Sequence, residues 1–468
     1  MKLFSPFVLA SFAAILPRGY ATRTCDVHGK PYHIDHTISR DVCVIGGGST
    51  GTYAAIRLKD AGKSVAVIEK VDQLGGHTQT YIDPATGIPV NLGVVVFHNT
   101  SLVLEYFARL NVSLTAVDLS ASGGYVEYND FRTGQIASNY TPSNPLPGLA
   151  TYGAQLAKYP YVETGFDLPY PVPEDLLLSF GDFVEKYSLQ SAMPFIYNFA
   201  QGLGDITSLS TLYVFKNFGS DILRMIANGG FLTAALGNNG LLYQSALAVL
   251  GTDVYLNSTI MAMDRSGRDH ATIVVKTPTK RVEMQCKKIV FTIPPKLNNL
   301  HGFDLSYNET ELFKKFKNTG YYTGLIRNSG IPDNTSVTNI GADTPFNSPT
   351  LPGIYSLTQT GIPGVVEFKY GSADSLNNTF VKQDILAATK RLQVIGKNAS
   401  AEPELAIYYS HTPFECHVSA EEIKNGFYKK LIALQGQRRT WYTGGAFHTH
   451  DSSLLWAFTE ALIPSILA

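Results

Sequence analysis

Residues 41–69, DVCVIGGGSTGTYAAIRLKDAGKSVAVIE, hold residue types whose spacing can bind a dinucleotide. Gly46-Gly47-Gly48-Ser49-Thr50-Gly51 supplies a G-x-G-x-x-G turn, and Glu69 stands about 20 residues further on, where a ribose-binding acid is expected. Gly46 permits the tight turn, Gly48 keeps a side chain out of the path of a pyrophosphate, and Gly51 allows close helix–strand packing. A helix opening at Ser49 and Thr50 would aim free N–H groups and its positive end at the phosphates. Glu69 can accept hydrogen bonds from ribose hydroxyls and repels a 2′-phosphate, which tunes the site against NADP.

These residues need a scaffold, and the flanking pattern provides one. Residues 41–45 are apolar enough for a buried parallel strand, a helix over 50–61 stops at Gly62, and residues 65–68 form a second strand that delivers Glu69 and then Lys70. A second glycine pair follows in Leu74-Gly75-Gly76-His77-Thr78, where another backbone segment can approach the phosphates. It leads into a short meander, residues 81–83 and 90–97, turned by Pro84-Ala85-Thr86-Gly87 and containing Gly93 and Val94.

At 468 residues the chain exceeds one ordinary core, so two lobes are expected. Hydrophobic content of 44% with 16% charged residues describes a globular protein able to bury a large core. Lys plus Arg (37) nearly cancels Asp plus Glu (38), which leaves no basic footprint for nucleic acid or an anionic membrane. The 26 Tyr and 25 Phe suffice to line an aromatic pocket, although core packing takes most of them.

Residues 1–21 read as a signal peptide: Lys2, an apolar stretch over 3–16, and the small-x-small pattern Gly19-Tyr20-Ala21. No other segment is expected to cross a membrane. Sequons at Asn99, Asn111, Asn139, Asn257, Asn308, Asn334, Asn377 and Asn398 fit a secreted or secretory-pathway glycoprotein. Cys43 and Cys286 lie in apolar strand-like runs, where a free thiol behaves as a small hydrophobe. Cys25 and Cys416 could pair, which sequence alone does not establish. There is no C-x-x-C or His/Cys cluster of metal spacing, and no metal site is expected.

With these motifs the chain resembles the flavin-containing amine oxidase superfamily, whose E-x(5–6)-G-G-R-x-x-T element and following D-x-G-G stretch run along FAD. The GGGSTGTYAAIRL turn, the GGHT element, GVVVFHN and LPYPVPEDLL look most like the fungal β-cyclopiazonate dehydrogenase-like group. The match departs from the family at His77, where Arg is common, and at Gly93-Val94, where a second glycine is usual. Residues 251–260 are similar to the strand whose backbone meets adenine, ending at Ile260, and residues 286–295 to the strand closed by a Pro pair. Trp441-Tyr442-Thr443-Gly444-Gly445-Ala446 and residues 451–463 are similar to the glycine turn and final helix over the flavin, which would place Gly445, Asp451 and Leu454 near the cofactor. The family's acid at that turn is replaced by Gly445 or Ala446, with Asp451 a candidate substitute for the ribityl contact.

The resemblance implies an α/β fold, α+β overall. A Rossmann-like FAD lobe from residues 39–100, 237–300 and 435–468 interleaves with a substrate lobe, mainly helical over 101–236 and mainly antiparallel sheet over 301–434. Leu176, Leu177, Phe180, Phe183, Val184 and Tyr187 recur at helical spacing in the first insertion. Residues 321–326, 353–357 and 364–370 in the second are β-branched and aromatic between Gly/Pro turns, which suggests an antiparallel sheet.

A flavin carries the redox chemistry, so side chains supply binding and orientation. Related amine oxidases hold a water near the flavin with a Lys on a strand after the Pro pair, yet residues 319–326 contain no Lys. Either another residue assists reoxidation or dioxygen, the candidate acceptor, is not the usual one. His448 and His450, in the turn the resemblance sets beside the flavin, are the candidate acid–base residues. His98 is expected to be solvated or structurally bonded, and Tyr442 to wall the pocket or pack. The expected function is FAD-dependent hydride removal from a small apolar or aromatic molecule, by dehydrogenation or oxidative cyclisation in fungal secondary metabolism. An amine or amino-acid oxidase is the alternative. A flavin-dependent isomerase without net redox turnover, or a non-catalytic flavoprotein, is the alternative of another class.

Overall fold

The computed structural model describes residues 23–118 and 124–468, so the expected signal peptide lies outside the described residues. Strand β1 (His36–Ile45) enters the glycine turn, helix α1 (Ser49–Asp60) leaves it, and β2 (Val65–Ile68) returns parallel to β1. Besides Ile38, only the continuous run 42–45 of β1 is buried, which is why an apolar run marks just that half of the strand. A hairpin follows, β3 (Thr78–Ile82) against β4 (Pro89–Gly93). The first insertion contributes β5 (Tyr125–Asp130), β6 (Gln135–Ile136) and a set of short helices including α2 (Glu174–Leu177), α3 (Phe180–Lys186) and α4 (Thr211–Asn217). Then come α5 (Gly240–Leu250), β7 (Val254–Tyr255), β8 (Thr259–Asp264), β9 (Ala271–Lys276) and β10 (Arg281–Phe291). The second insertion holds β11 (Gly320–Arg327), β12 (Thr335–Asn339), β13 (Gly353–Gln359), β14 (Val365–Ser372) and β15 (Glu404–Ser410). Strand β16 (Thr440–Tyr442) and helix α6 (Ser452–Leu467) close the chain.

Two seven-stranded sheets result. The first runs β7-β2-β1-β10-β9-β8, with β16 added beside the C-terminal end of β10. Strands β7, β2, β1, β10 and β16 are parallel, and α1 packs against α6 on one face. The second runs β6-β5-β12-β13-β14-β11-β15.

Two readings of the sequence are corrected here and one is extended. The strands of the second insertion pair antiparallel as expected, but β5 arrives from the first insertion and pairs parallel with β12, so the sheet as a whole is mixed. Strand β5 gives no apolar alternation because its inward positions are polar: Glu127 accepts from Ile395 N–H and Asn129 donates to the Gln393 carbonyl. The stripe over 176–187 is broken into α2 and α3, since Leu178 is extended and the Ser179 hydroxyl caps the second helix by accepting from Asp182 N–H. Cys43 and Cys286 are not free thiols: their neighbouring strands bring them into a disulfide with Cα atoms 5.7 Å apart, whereas Cys25 and Cys416 are unpaired.

Tyr442 packs rather than walls a pocket. Its ring lies against Phe291 and Phe447, and its hydroxyl donates to Glu309, which in turn receives both terminal nitrogens of the buried Arg265. This network anchors β16 immediately before the glycine turn at 443–446.

Candidate functional site

The turn between β1 and α1 leaves its amides turned outward. Gly48 is the N-cap of α1, makes no side-chain cap bond, and no acid occupies the first turn. Glu69 sits at the end of β2, with Gly47 N–H donating to one carboxylate oxygen at 2.6 Å and Val71 N–H to the other at 3.0 Å. Each oxygen keeps a lone pair for a ribose hydroxyl. The second glycine pair presses on the first turn: Gly75 N–H donates to the Gly47 carbonyl, and a Cβ at Gly76 would lie 2.9 Å from Gly48 Cα. A Cβ at Gly48 itself would meet nothing nearer than 3.8 Å. This open face above a helix N-terminus, with a carboxylate at its side, is a cradle that fits the diphosphate and ribose of a dinucleotide such as FAD.

The other candidate residues distribute along that cradle. Ser49 shares a hydrogen bond of 2.9 Å with Ser452, the first residue of α6, and Thr50 and Gly51 are buried in the first turn of α1. A Cβ at Gly51 would strike the Gly46 carbonyl oxygen. Lys70 is exposed, and its charge reaches His77. Thr78 lies 3.4 Å from the Tyr243 hydroxyl. Ile260 follows Ser258, whose N–H donates to the Glu69 carbonyl. The Val94 and Val95 carbonyls both accept from the buried Asn239 amide, which fixes the stretch after Gly93. Asn239 is a residue the sequence reading did not single out.

Where the two lobes meet, aromatic rings and imidazoles stack. Phe414 lies 4.0 Å from His450 and 5.5 Å from His77, His77 is 4.6 Å from His411, and Tyr321 on β11 is 4.9 Å from Phe414. Gly93 at φ +92° allows the approach, since a Cβ there would collide with the His77 carbonyl and crowd His411. A Cβ at Gly445 would likewise strike the His450 ring. Burial drives His77 down to about 4 and His450 to about 3, and pushes His411 well below the usual imidazole range. All three rings are therefore neutral at pH 7.

The pattern of the flavin containing amine oxidoreductase family matches residues 50–326. The chain is 42% identical to the FAD-dependent oxidoreductase oblC of Cochliobolus heterostrophus, with 98% of each chain covered. It is 35% identical to the beta-cyclopiazonate dehydrogenase of Aspergillus oryzae over 91% of this chain and 93% of that one. The chain belongs to the flavin containing amine oxidoreductase family. It is an FAD-dependent oxidoreductase. Its fold is similar to that of the fatty acid isomerase from P. acnes that produces CLA, with a TM-score of 0.74 at 19% identity, covering 92% of this chain and 99% of that chain.

Within this oxidoreductase the two candidate histidines are held apart. His448 is not free to exchange a proton: its Nε2 lies 3.0 Å from the Glu163 carbonyl and its Nδ1 faces Lys216 Nζ at 3.3 Å. His450 Nε2, by contrast, is buried without a hydrogen-bond partner, and the nearest carboxyl oxygen, from Glu415, is 3.6 Å away. Burial raises Glu415 to about 8, against the opposing charge of Lys216. Asp451 is also committed, because one oxygen caps α6 by accepting from Leu454 N–H and the other pairs with His98 at 3.1 Å. Burial opposes a charge on His98, but Asp451 wins and lifts its pKa. The His98–Asp451 pair orients the α6 N-terminus, and each Asp451 oxygen, holding one partner as those of Glu69 do, keeps a lone pair for a further donor.

Sequence reasoning missed Lys216, His411, Phe414 and Glu415. No Lys stands on β11, yet one reaches the site from α4. Its sign in the sequence is a Lys directly after the apolar run Tyr213-Val214-Phe215, on a helix where every residue but the last is buried. The segment His411-Thr412-Pro413-Phe414-Glu415 carries no comparable sign.

Proposed function

We propose that this FAD-dependent oxidoreductase dehydrogenates a neutral, largely apolar, aromatic or polycyclic small molecule of fungal secondary metabolism. The observation that carries the reading is the seam of stacked rings whose imidazoles are neutral and whose nearest carboxyl, Glu415, is protonated at pH 7. Such a surface receives a flat apolar ligand by stacking and offers no anion to an alkylammonium. FAD held at the Gly46–Gly51 turn, Glu69 and Gly76 would supply the acceptor for a hydride from the substrate C–H bond. The protein's part is to orient that bond and take the companion N–H or O–H proton, which becomes strongly acidic once the hydride has gone. His450 Nε2, with its lone pair unengaged, suits this task even as a weak base.

The name of the Aspergillus oryzae relative, a dehydrogenase of beta-cyclopiazonate, supports the same reaction class. Export through the secretory pathway belongs to this reading. It is supported by the exposure of all eight sequon asparagines and by the Cys43–Cys286 disulfide. Dioxygen as the final acceptor is a further proposal, checked by oxygen consumption during turnover.

Anaerobic mixing tests the substrate class. An indole- or polyketide-derived compound with an activated C–H beside N–H or O–H is expected to bleach the flavin, whereas short alkyl amines and amino acids leave it oxidised. His450→Ala should slow bleaching by about 10²-fold. Efficient bleaching by simple amines, unchanged in His450→Ala, would instead establish the amine-oxidase alternative.

A further inference from the structure

We propose that Lys216 is a positioning residue that, through His448, locks the glycine turn at residues 443–451 against the FAD cradle. Lys216 is 3% exposed, and its Nζ lies 2.9 Å from the Val162 carbonyl, 3.3 Å from the Gly165 carbonyl and 3.3 Å from His448 Nδ1. Three acceptors surround an ammonium that has three hydrogens to donate. Among the described residues no carboxylate oxygen stands within hydrogen-bond distance of Nζ, so the ammonium is desolvated without the ion pair that usually accompanies buried charge. What it gains is a bridge between lobes: α4 and residues 162–165 on one side, the glycine turn on the other.

The turn passes this constraint on to the cofactor site. Gly444 backs onto Thr292, whose hydroxyl donates to the Ile45 and Gly46 carbonyls at the head of the dinucleotide turn. Four residues beyond His448 the chain enters α6, where Ser452 bonds Ser49. With His448 held at both ring nitrogens, residues 449–451 cannot swing, and the His450 ring stays against Phe414.

Charge makes the lock sensitive to pH. The ionisable groups facing it are Glu163 beside α4, Glu415 at the seam, and His448 itself, with Asp451 acting on His448. Burial lowers Lys216 to about 7, against the pull of Glu163 and Glu415. Above that pH the amine keeps two hydrogens for three acceptors, and the grip on His448 weakens.

The test uses FAD-loaded protein and does not depend on knowing the substrate. The dissociation constant for FAD, read from free-flavin fluorescence, and the visible circular dichroism of bound flavin are followed from pH 6 to 9. The wild type should hold FAD more weakly above about pH 7 by about tenfold, the scale of one lost charged hydrogen bond. Lys216→Met should bind weakly at every pH with that step absent, and the Lys216→Met, His448→Asn double variant should lose no more than either single variant. If Lys216→Met does not accumulate as folded protein, His448→Phe removes the acceptor and leaves the ammonium, and the same loss of the step is expected. Wild-type affinity and an unchanged flavin spectrum in Lys216→Met, additive losses in the double variant, or a step that persists in His448→Phe would each overturn the proposal.

Discussion

His448 and His450 are two residues apart in one turn, yet one is tied at both nitrogens and the other holds an open lone pair. What separates them is the chemistry of their neighbours, an ammonium from α4 and a buried carboxyl from the loop before residue 416. Glu415 gives the residue scale its own test. Its folded pKa, about 8, is raised from the ordinary 4.5 by burial. A carboxyl shifted upward contributes stability that is complete below the unfolded pKa and is lost as pH rises to the folded one. Relative to Glu415→Gln, which stays neutral, the wild type should therefore lose stability between about pH 4.5 and pH 8, by on the order of 2–4 kcal/mol at the upper end. Denaturant midpoints of the two proteins that run parallel across this window would show that Glu415 ionises as freely folded as unfolded. The sequence pointed to both histidines because they share a turn of recognisable type. It could not sort them, since Lys216 and Glu415 come from 232 and 35 residues away, taking 448 − 216 and 450 − 415 from their positions.

Among the elements, those governed by local spacing were legible and those governed by partners were not. The unit β1-α1-β2 with Glu69 can be read directly, because glycine placement, helix length and strand apolarity all act within thirty residues. Strand β5 could not, because Glu127 and Asn129 face inward and their side-chain hydrogen bonds run to residues 393–395. Helix α1 carries the prediction at this scale. Gly48 has φ −67°, a value any residue adopts, and space for a Cβ, whereas Gly46 has φ +98° and a Cβ there would meet Thr292 at 2.6 Å. Gly48→Val should thus fold with near wild-type stability but place its methyl groups over the α1 amides. FAD affinity is expected to fall by more than about 10²-fold, giving a colourless protein with an ordinary melting transition. A yellow, normally loaded Gly48→Val would remove the α1 N-terminus from the cofactor site.

For the whole molecule, interleaving decides what the sequence can disclose. The first sheet draws on residues 36–68, 254–291 and 440–442, so its central contact between β1 and β10 joins chain segments that share no local signal. Cys43 and Cys286 illustrate the consequence: each looks like a lone buried thiol until the strands are paired, and the disulfide then closes 243 residues of chain. A closure of that length stabilises a fold by about 2–5 kcal/mol, chiefly by restricting the unfolded chain, and it persists where thiols are not kept reduced. Protein from the native host should therefore carry sugar on exposed sequons and, unfolded without reductant, should offer a thiol-alkylating reagent Cys25 and Cys416 alone. Cys43 and Cys286 should become labelled only after reduction, and the reduced protein should unfold at lower denaturant. Labelling of all four cysteines without reductant, on unglycosylated protein, would remove both the disulfide and the secretory route from this account.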